Sequence, residues 1–98
     1  MVDVGLAPAA VEDLDNLIVV LTLPADTRDR VRRALEPLTT FPRLGSELPG
    51  RWEGFRFILG PWRWMIVVYL HVEEQNRVVV VTIQDARGAT SPTTQRNV

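Results

Sequence analysis

Apolar residues recur at helical spacing through the first third of the chain and at alternating spacing through its second half. Val11, Leu14, Leu17, Ile18 and Leu21 fall three and four apart, one apolar stripe of a helix, while Glu12, Asp15 and Asn16 point elsewhere. Pro8 suits the first helical turn, where its missing N–H leaves nothing unpaired. Glu12 and Asp13 lie near the positive end of the helix dipole. The pattern predicts a helix from about Pro8 to Thr22, preceded by a short strand over Val2 to Leu6. Leu23-Pro24 breaks the run and Ala25-Asp26-Thr27 restarts it. Val31, Ala34, Leu35 and Leu38 form a second stripe, with Arg28, Arg30, Arg32 and Arg33 on the wet side. Pro37 removes a backbone bond and clashes one turn back, so this second helix is expected to end or kink near Glu36.

Residues 42–50 are rich in Pro, Gly and Ser and read as a loop. Three β-branched and aromatic runs follow, Trp52 to Leu59, Trp62 to Val72 and Arg77 to Gln84, and predict three strands. Gly60-Pro61 punctuates the first pair and Glu73-Glu74-Gln75-Asn76 the second, both short enough for hairpins. The expected fold class is α+β: an N-terminal strand and a two-helix hairpin packed on a small twisted antiparallel sheet. Residues 1–87 make one domain on this reading. The tail 88–98 has almost no apolar content and is expected to be flexible.

Alternation sorts the strand residues into faces. Phe55, Phe57 and Leu59 form one apolar set, and Trp62, Trp64, Ile66, Val68 and Leu70 another; these are the expected core faces. Arg56 and Arg63 then fall on an open face. With Gly60-Pro61 as a two-residue turn, Arg56 opposes Met65 and becomes the diagonal neighbour of Arg63, their Cβ atoms roughly 7–8 Å apart. Guanidinium forks match phosphate oxygens, so the pair offers an anion-binding patch. The simpler reading, favoured on spacing alone, pairs these arginines with Glu53, Glu73 or Asp85, or leaves them in water.

Composition narrows the chemistry. The 98 residues contain no cysteine, which removes disulfides and thiolate chemistry and fits a cytoplasmic protein. All 11 basic residues are arginine, and the net charge of −1 argues against a nonspecific nucleic-acid coat while leaving room for a local basic site. The N-terminus lacks the features of a signal peptide, and no apolar run approaches the length of a membrane span. His71 is the only histidine, so no histidine pair exists to bind a metal, and its expected place is a solvated strand. Tyr69 is expected to pack. No glycine-rich phosphate loop or metal-ligand spacing occurs, so neither cofactor nor metal is expected.

The order of these elements, with the arginine positions, resembles the RelE/ParE toxin superfamily from about Val4 to Arg87. The resemblance rests on Leu6-Ala7-Pro8-Ala9-Ala10 with Asp13-Leu14, and on Leu23-Pro24 leading to Arg30-Val31, Ala34-Leu35 and Leu38. It continues through Pro42, Gly45, Leu48 and Gly50 to Gly54-Phe55-Arg56 and Gly60-Pro61-Trp62-Arg63, and ends on Val78 to Ile83 and Arg87. It implies the toxin of a bacterial type II toxin–antitoxin system, neutralised by a cognate antitoxin. RelE-like members cut mRNA on the ribosome; ParE-like members inhibit DNA gyrase. By motif position Arg63 looks like the arginine of the third strand of the family, Arg56 like a basic residue of the second, and Arg87 like the one ending the fourth. The resemblance thus implies Arg56, Arg63 and Arg87 as the catalytic set of a ribosome-dependent mRNA endonuclease. A gyrase inhibitor, or a non-toxic protein-binding relic, stays open beside it. The chain departs from the pattern where Ile66 stands three residues after Arg63, and where no Tyr, His or Lys follows Arg87. No acid–base pair for activating a 2′-hydroxyl is identifiable from the sequence.

Overall fold

The computed structural model describes residues 1–87; the tail 88–98, expected to be flexible, lies outside the described residues. The chain runs β1 (Asp3–Leu6), α1 (Pro8–Val20), α2 (Thr27–Leu35), β2 (Ser46–Glu47), β3 (Arg56–Leu59), β4 (Met65–Val72) and β5 (Arg77–Asp85). The five strands form one sheet in the order β1-β5-β4-β3-β2. The helical hairpin carries the chain from one edge to the other, and the antiparallel meander β3–β4–β5 returns it until β5 lies beside β1. β1 runs parallel to β5, Asp3 opposite Arg77 and Leu6 opposite Val80. The sheet is therefore mixed rather than wholly antiparallel.

Local chemistry sets the helix ends. Pro8 opens α1 as predicted. At the other end the Leu23 N–H donates to Ile18 O at 3.0 Å across Thr22, whose φ of 51° is left-handed. This is a Schellman closure in which a threonine occupies a position that favours glycine. α2 stops at Leu35, and Pro37 falls in a short 3₁₀ turn, Glu36–Thr39. That turn shields part of the outer edge of β1, since Thr39 O accepts the Val2 N–H at 2.8 Å.

The helices pack Ala10, Leu14, Val31, Leu35 and Leu38 against Met65, Val67, Tyr69, Val78, Val80 and Ile83. This corrects the expected face: the helices cover the set that includes Arg56 and Ile58, not the set of Ile66 and Val68. Burying a large apolar side chain stabilises by roughly 1.5–3 kcal/mol, so one arginine at the margin does not outweigh Met65, Val67 and Tyr69 together. The other face is not open either. Segment 48–55 folds over it, and Leu48, Ile66 and Val68 are buried there with Trp52, Phe55, Phe57 and Val81 packed around them. A bulge lets β5 serve both faces. Val68 opposes Thr82 while Tyr69 opposes Val80, leaving Val81 as the extra residue, so Val78 and Val80 face the helices before it and Ile83 after it. The Asp13 carboxylate of α1 accepts bonds there from Thr82 Oγ1 at 2.5 Å and from the Ile83 N–H at 3.3 Å. Among the described residues no helix is long and apolar enough to cross a membrane.

Candidate functional site

The turn between β3 and β4 decides which arginines meet. Gly60-Pro61 is not a two-residue hairpin loop: Leu59 pairs with Ile66 and Arg56 with Tyr69, so the register lies four residues from the expected one. Residues 60–64 form a loop instead, closed by Gly60 N–H to Met65 O at 2.9 Å and Met65 N–H to Trp62 O at 3.0 Å. Arg63 sits in that loop. Arg56 lies near the far end of the pairing, four residues along β4 from Met65, or roughly 13 Å at the strand rise. The diagonal Arg56–Arg63 pair does not form.

The loop that carries Arg63 joins the end of β5 instead. Trp64 O accepts the Ala86 N–H at 2.6 Å, which fixes the loop beside the end of β5 and brings Arg63 and Arg87 to one corner of the sheet. Arg87 is exposed but held: its Nε donates to Asp85 Oδ1 at 2.9 Å and its Nη2 to Asp85 Oδ2 at 2.8 Å. The same bonds keep the Asp85 carboxyl below its ordinary value and raise the guanidinium. The Arg87 Cζ lies 4.9 Å from the ring centre of Trp64, and the Trp64 ring stacks nearly parallel on Trp62 at 5.7 Å. Arg30 of α2 lies 5.7 Å over Trp62 and is steadied by Asp26. Arg30, Trp62, Trp64 and Arg87 thus form a ladder of cation, ring, ring and cation, with contacts that favour a guanidinium over an aromatic face. Arg63 is exposed and, among the described residues, makes no ion pair or hydrogen bond. The corner offers one unengaged cation and one oriented cation beside stacked indoles, but its carboxylate, Asp85, is committed to Arg87.

Arg56 lies elsewhere. Its side chain is 25% exposed, and its Nη1 donates to Gly45 O at 2.8 Å while its Nη2 approaches Glu47 Oε1 at 3.3 Å. Beneath it Tyr69 is fully buried, and its hydroxyl accepts the Gly45 N–H at 2.9 Å. Burial pushes the Tyr69 hydroxyl above its usual value, opposed by the Gly45 N–H and by Arg56. Gly45 has to be glycine at this contact, because a Cβ there would lie 2.5 Å from Phe57 O. Arg56 also lines a polar cleft of about 300 Å³ with Arg43, Glu47, His71 and Glu73. Arg43 pairs with Glu73. A third feature is apolar: a groove of about 570 Å³ between β1, α1 and α2, floored by Val4, Leu14, Val31 and Leu35.

The tryptophans and Arg30 are what sequence reasoning missed. Trp62 and Trp64 alternate like strand residues, and nothing local marks them as a loop; the signal was Pro61, which disfavours pairing in the strand that follows Gly60. His71, expected on a solvated strand, is half-buried against the cleft.

No family model matches the sequence, and no curated protein matches it. Solved structures do match in fold. The isolated RelE toxin of E. coli is similar over 100% of both chains, with a TM-score of 0.67 and 17% identity. The intact RelBE toxin–antitoxin complex of E. coli covers 90% of this chain and 100% of its own, with a TM-score of 0.66 and 15% identity. The RelBE2 toxin–antitoxin complex of Mycobacterium tuberculosis covers 86% of this chain and 96% of its own, with a TM-score of 0.64 and 21% identity. The chain has the α+β fold of the RelE structures.

Proposed function

We propose that this protein is the toxin of a bacterial type II toxin–antitoxin pair, acting in the cytoplasm on RNA at the ribosome. The observation that carries the reading is the corner where the Arg63 loop joins the end of β5 beside Arg87, on a fold that matches an isolated RelE toxin along its whole length. A guanidinium with no partner among the described residues, beside one whose orientation is fixed, suits a phosphate, whose oxygens accept forked bonds. The exposed Arg63 beside the oriented Arg87 supports RNA phosphate, rather than DNA gyrase, as the target. Arg63 and Arg87 are the phosphate-gripping members of the expected catalytic set; Arg56 belongs to the separate cleft.

The cognate antitoxin would lay a segment in the groove between β1, α1 and α2, as an amphipathic helix does in an apolar channel. Induced expression tests the pair. The wild type arrests growth, Arg63→Ala and Arg87→Ala relieve the arrest, and a co-expressed neighbouring reading frame restores growth. Harmless expression at high level would place the chain among non-toxic binding modules.

A further inference from the structure

Among the described residues the Arg63 side chain bonds to nothing, yet the turn that carries it is anchored on both sides. Met65 N–H donates to Trp62 O at 3.0 Å and closes a four-residue turn with Arg63 at its second position. The residues flanking Arg63 are both tryptophan. Trp62 and Trp64 pack against the core that the helices cover and stack on each other at 5.7 Å, their planes 6° apart. Arg63, between them in the chain, is exposed. Each ring also meets a guanidinium, and each guanidinium a carboxylate. Arg30 lies 5.7 Å over Trp62, and its Nε donates to Asp26 Oδ2 at 3.0 Å. Arg87 lies 4.9 Å over Trp64 and is forked onto Asp85. The row therefore runs from the start of α2 to the end of β5, and the Arg63 turn is held within it.

An exposed turn residue ordinarily keeps backbone freedom, which is lost when it grips a ligand. Fixing the residues before and after Arg63 removes that cost in advance. Resting on the reading of Arg63 as a phosphate-gripping residue, we infer that Trp62 and Arg30 are positioning residues for Arg63. Neither touches the RNA. The Trp62 ring holds the turn, and Arg30 of α2 holds that ring against Trp64. A phosphate arriving at the corner then meets a cation whose backbone is already set. Trp64 serves the same row but also carries Arg87, so Trp62 and Arg30 isolate the effect on Arg63.

¹⁵N relaxation on the tag-free full-length protein reads the turn directly. The order parameter of the Arg63 amide is about 0.85 in the wild type and falls below about 0.6 in Arg30→Met and Trp62→Leu, while the β4 amides stay near 0.85. Arg30→Met alters only an exposed side chain and keeps the fold. Arg33→Met removes the same charge from another exposed position of α2 and leaves the Arg63 amide rigid. On translating ribosomes Arg63→Ala slows mRNA cleavage about 10²-fold. Trp62→Leu and Arg30→Met each slow it roughly tenfold, as misplacement of a gripping group does. Adding either to Arg63→Ala slows cleavage no further, because all three act through one guanidinium. Trp62→Phe, which keeps a ring under Arg30, recovers most of the rate. An Arg63 amide that stays rigid in Arg30→Met and Trp62→Leu, or losses that add to that of Arg63→Ala, overturns the inference and leaves the toxin reading standing. A wild-type protein that cuts nothing, or Arg63→Ala cutting at the wild-type rate, overturns the RNA reading itself and this inference with it.

Discussion

The Gly45 backbone N–H donates to the Tyr69 hydroxyl at 2.9 Å, and both groups are buried. This bond ties the loop that carries Arg43, β2 and Glu47 to the centre of β4, and so sets the floor under Arg56. Tyr69→Phe keeps the ring and leaves the Gly45 N–H without a partner, at a cost of about 1–3 kcal/mol in a urea melt with unchanged slope. Gly45→Ala costs more, because its Cβ meets backbone that has no room to yield.

Tyr69 also gives a pH signature. Its hydroxyl is raised above 10.0, mainly by burial. A folded state that holds the proton more tightly than the unfolded one keeps this contribution in full below pH 10 and loses it as pH rises through the folded value. The chain has one tyrosine, so the tyrosinate absorbance reads the titration directly. It moves above 10 in the native protein and returns to the ordinary value in denaturant. Tyr69→Phe removes that alkaline loss of stability.

The Asp85–Arg87 fork predicts behaviour at the acid end. Hydrogen bonds from Arg87 hold the Asp85 carboxyl below 3.8. The carboxylate therefore orients Arg87 over Trp64 at all pH values above that, and the contribution is lost as pH falls through the lowered folded value. Tryptophan fluorescence at the ladder is flat from neutral pH to about 4 and changes below it. Asp85→Asn shows the acid-type emission at neutral pH and weakens growth arrest, while Arg87 is still present.

The two helices were legible because Leu14, Val31 and Leu35 repeat at helical spacing with breakers at Leu23-Pro24 and Pro37. The strands were legible from their β-branched runs. Their register was not. Gly60-Pro61 has the composition of a tight turn, yet Trp62 and Trp64 stack on each other and on Arg30 and Arg87, tertiary contacts that outweigh two more ladder pairs. Nor did alternation say which face the helices take, because Met65-Val67-Tyr69 and Ile66-Val68 are both apolar. The bulge at Val81 changes parity within β5, which no two-residue period reveals. The placing of the Arg63 loop beside Arg87, and of Arg56 and His71 on one cleft, follows from these tertiary choices.

Thr22 offers a stabilising change. Its φ of 51° costs a β-branched residue roughly 1–2 kcal/mol, which glycine avoids in the same closure. Thr22→Gly therefore raises stability by about 0.5–1 kcal/mol, read as a higher urea midpoint, after the added freedom of the unfolded chain is subtracted. Growth arrest is unchanged, since Thr22 lies outside the corner and the cleft.

Asp13 tests the bulge. Its carboxylate serves both Thr82 and the Ile83 N–H. Asp13→Ala leaves that N–H without its acceptor and lowers stability by about 1–3 kcal/mol. Hydrogen exchange at the Ile83 amide rises far more than at Val67 on the neighbouring strand.

The central claim is that Arg63 and Arg87 grip RNA for a toxin that works at the ribosome. Mapping transcript 5′ ends in cells during induced expression tests it most directly. The account predicts new ends inside translated codons with the wild type, and their loss with Arg63→Ala at equal protein level. Growth arrest with intact transcripts, accompanied by lost gyrase supercoiling, would contradict it.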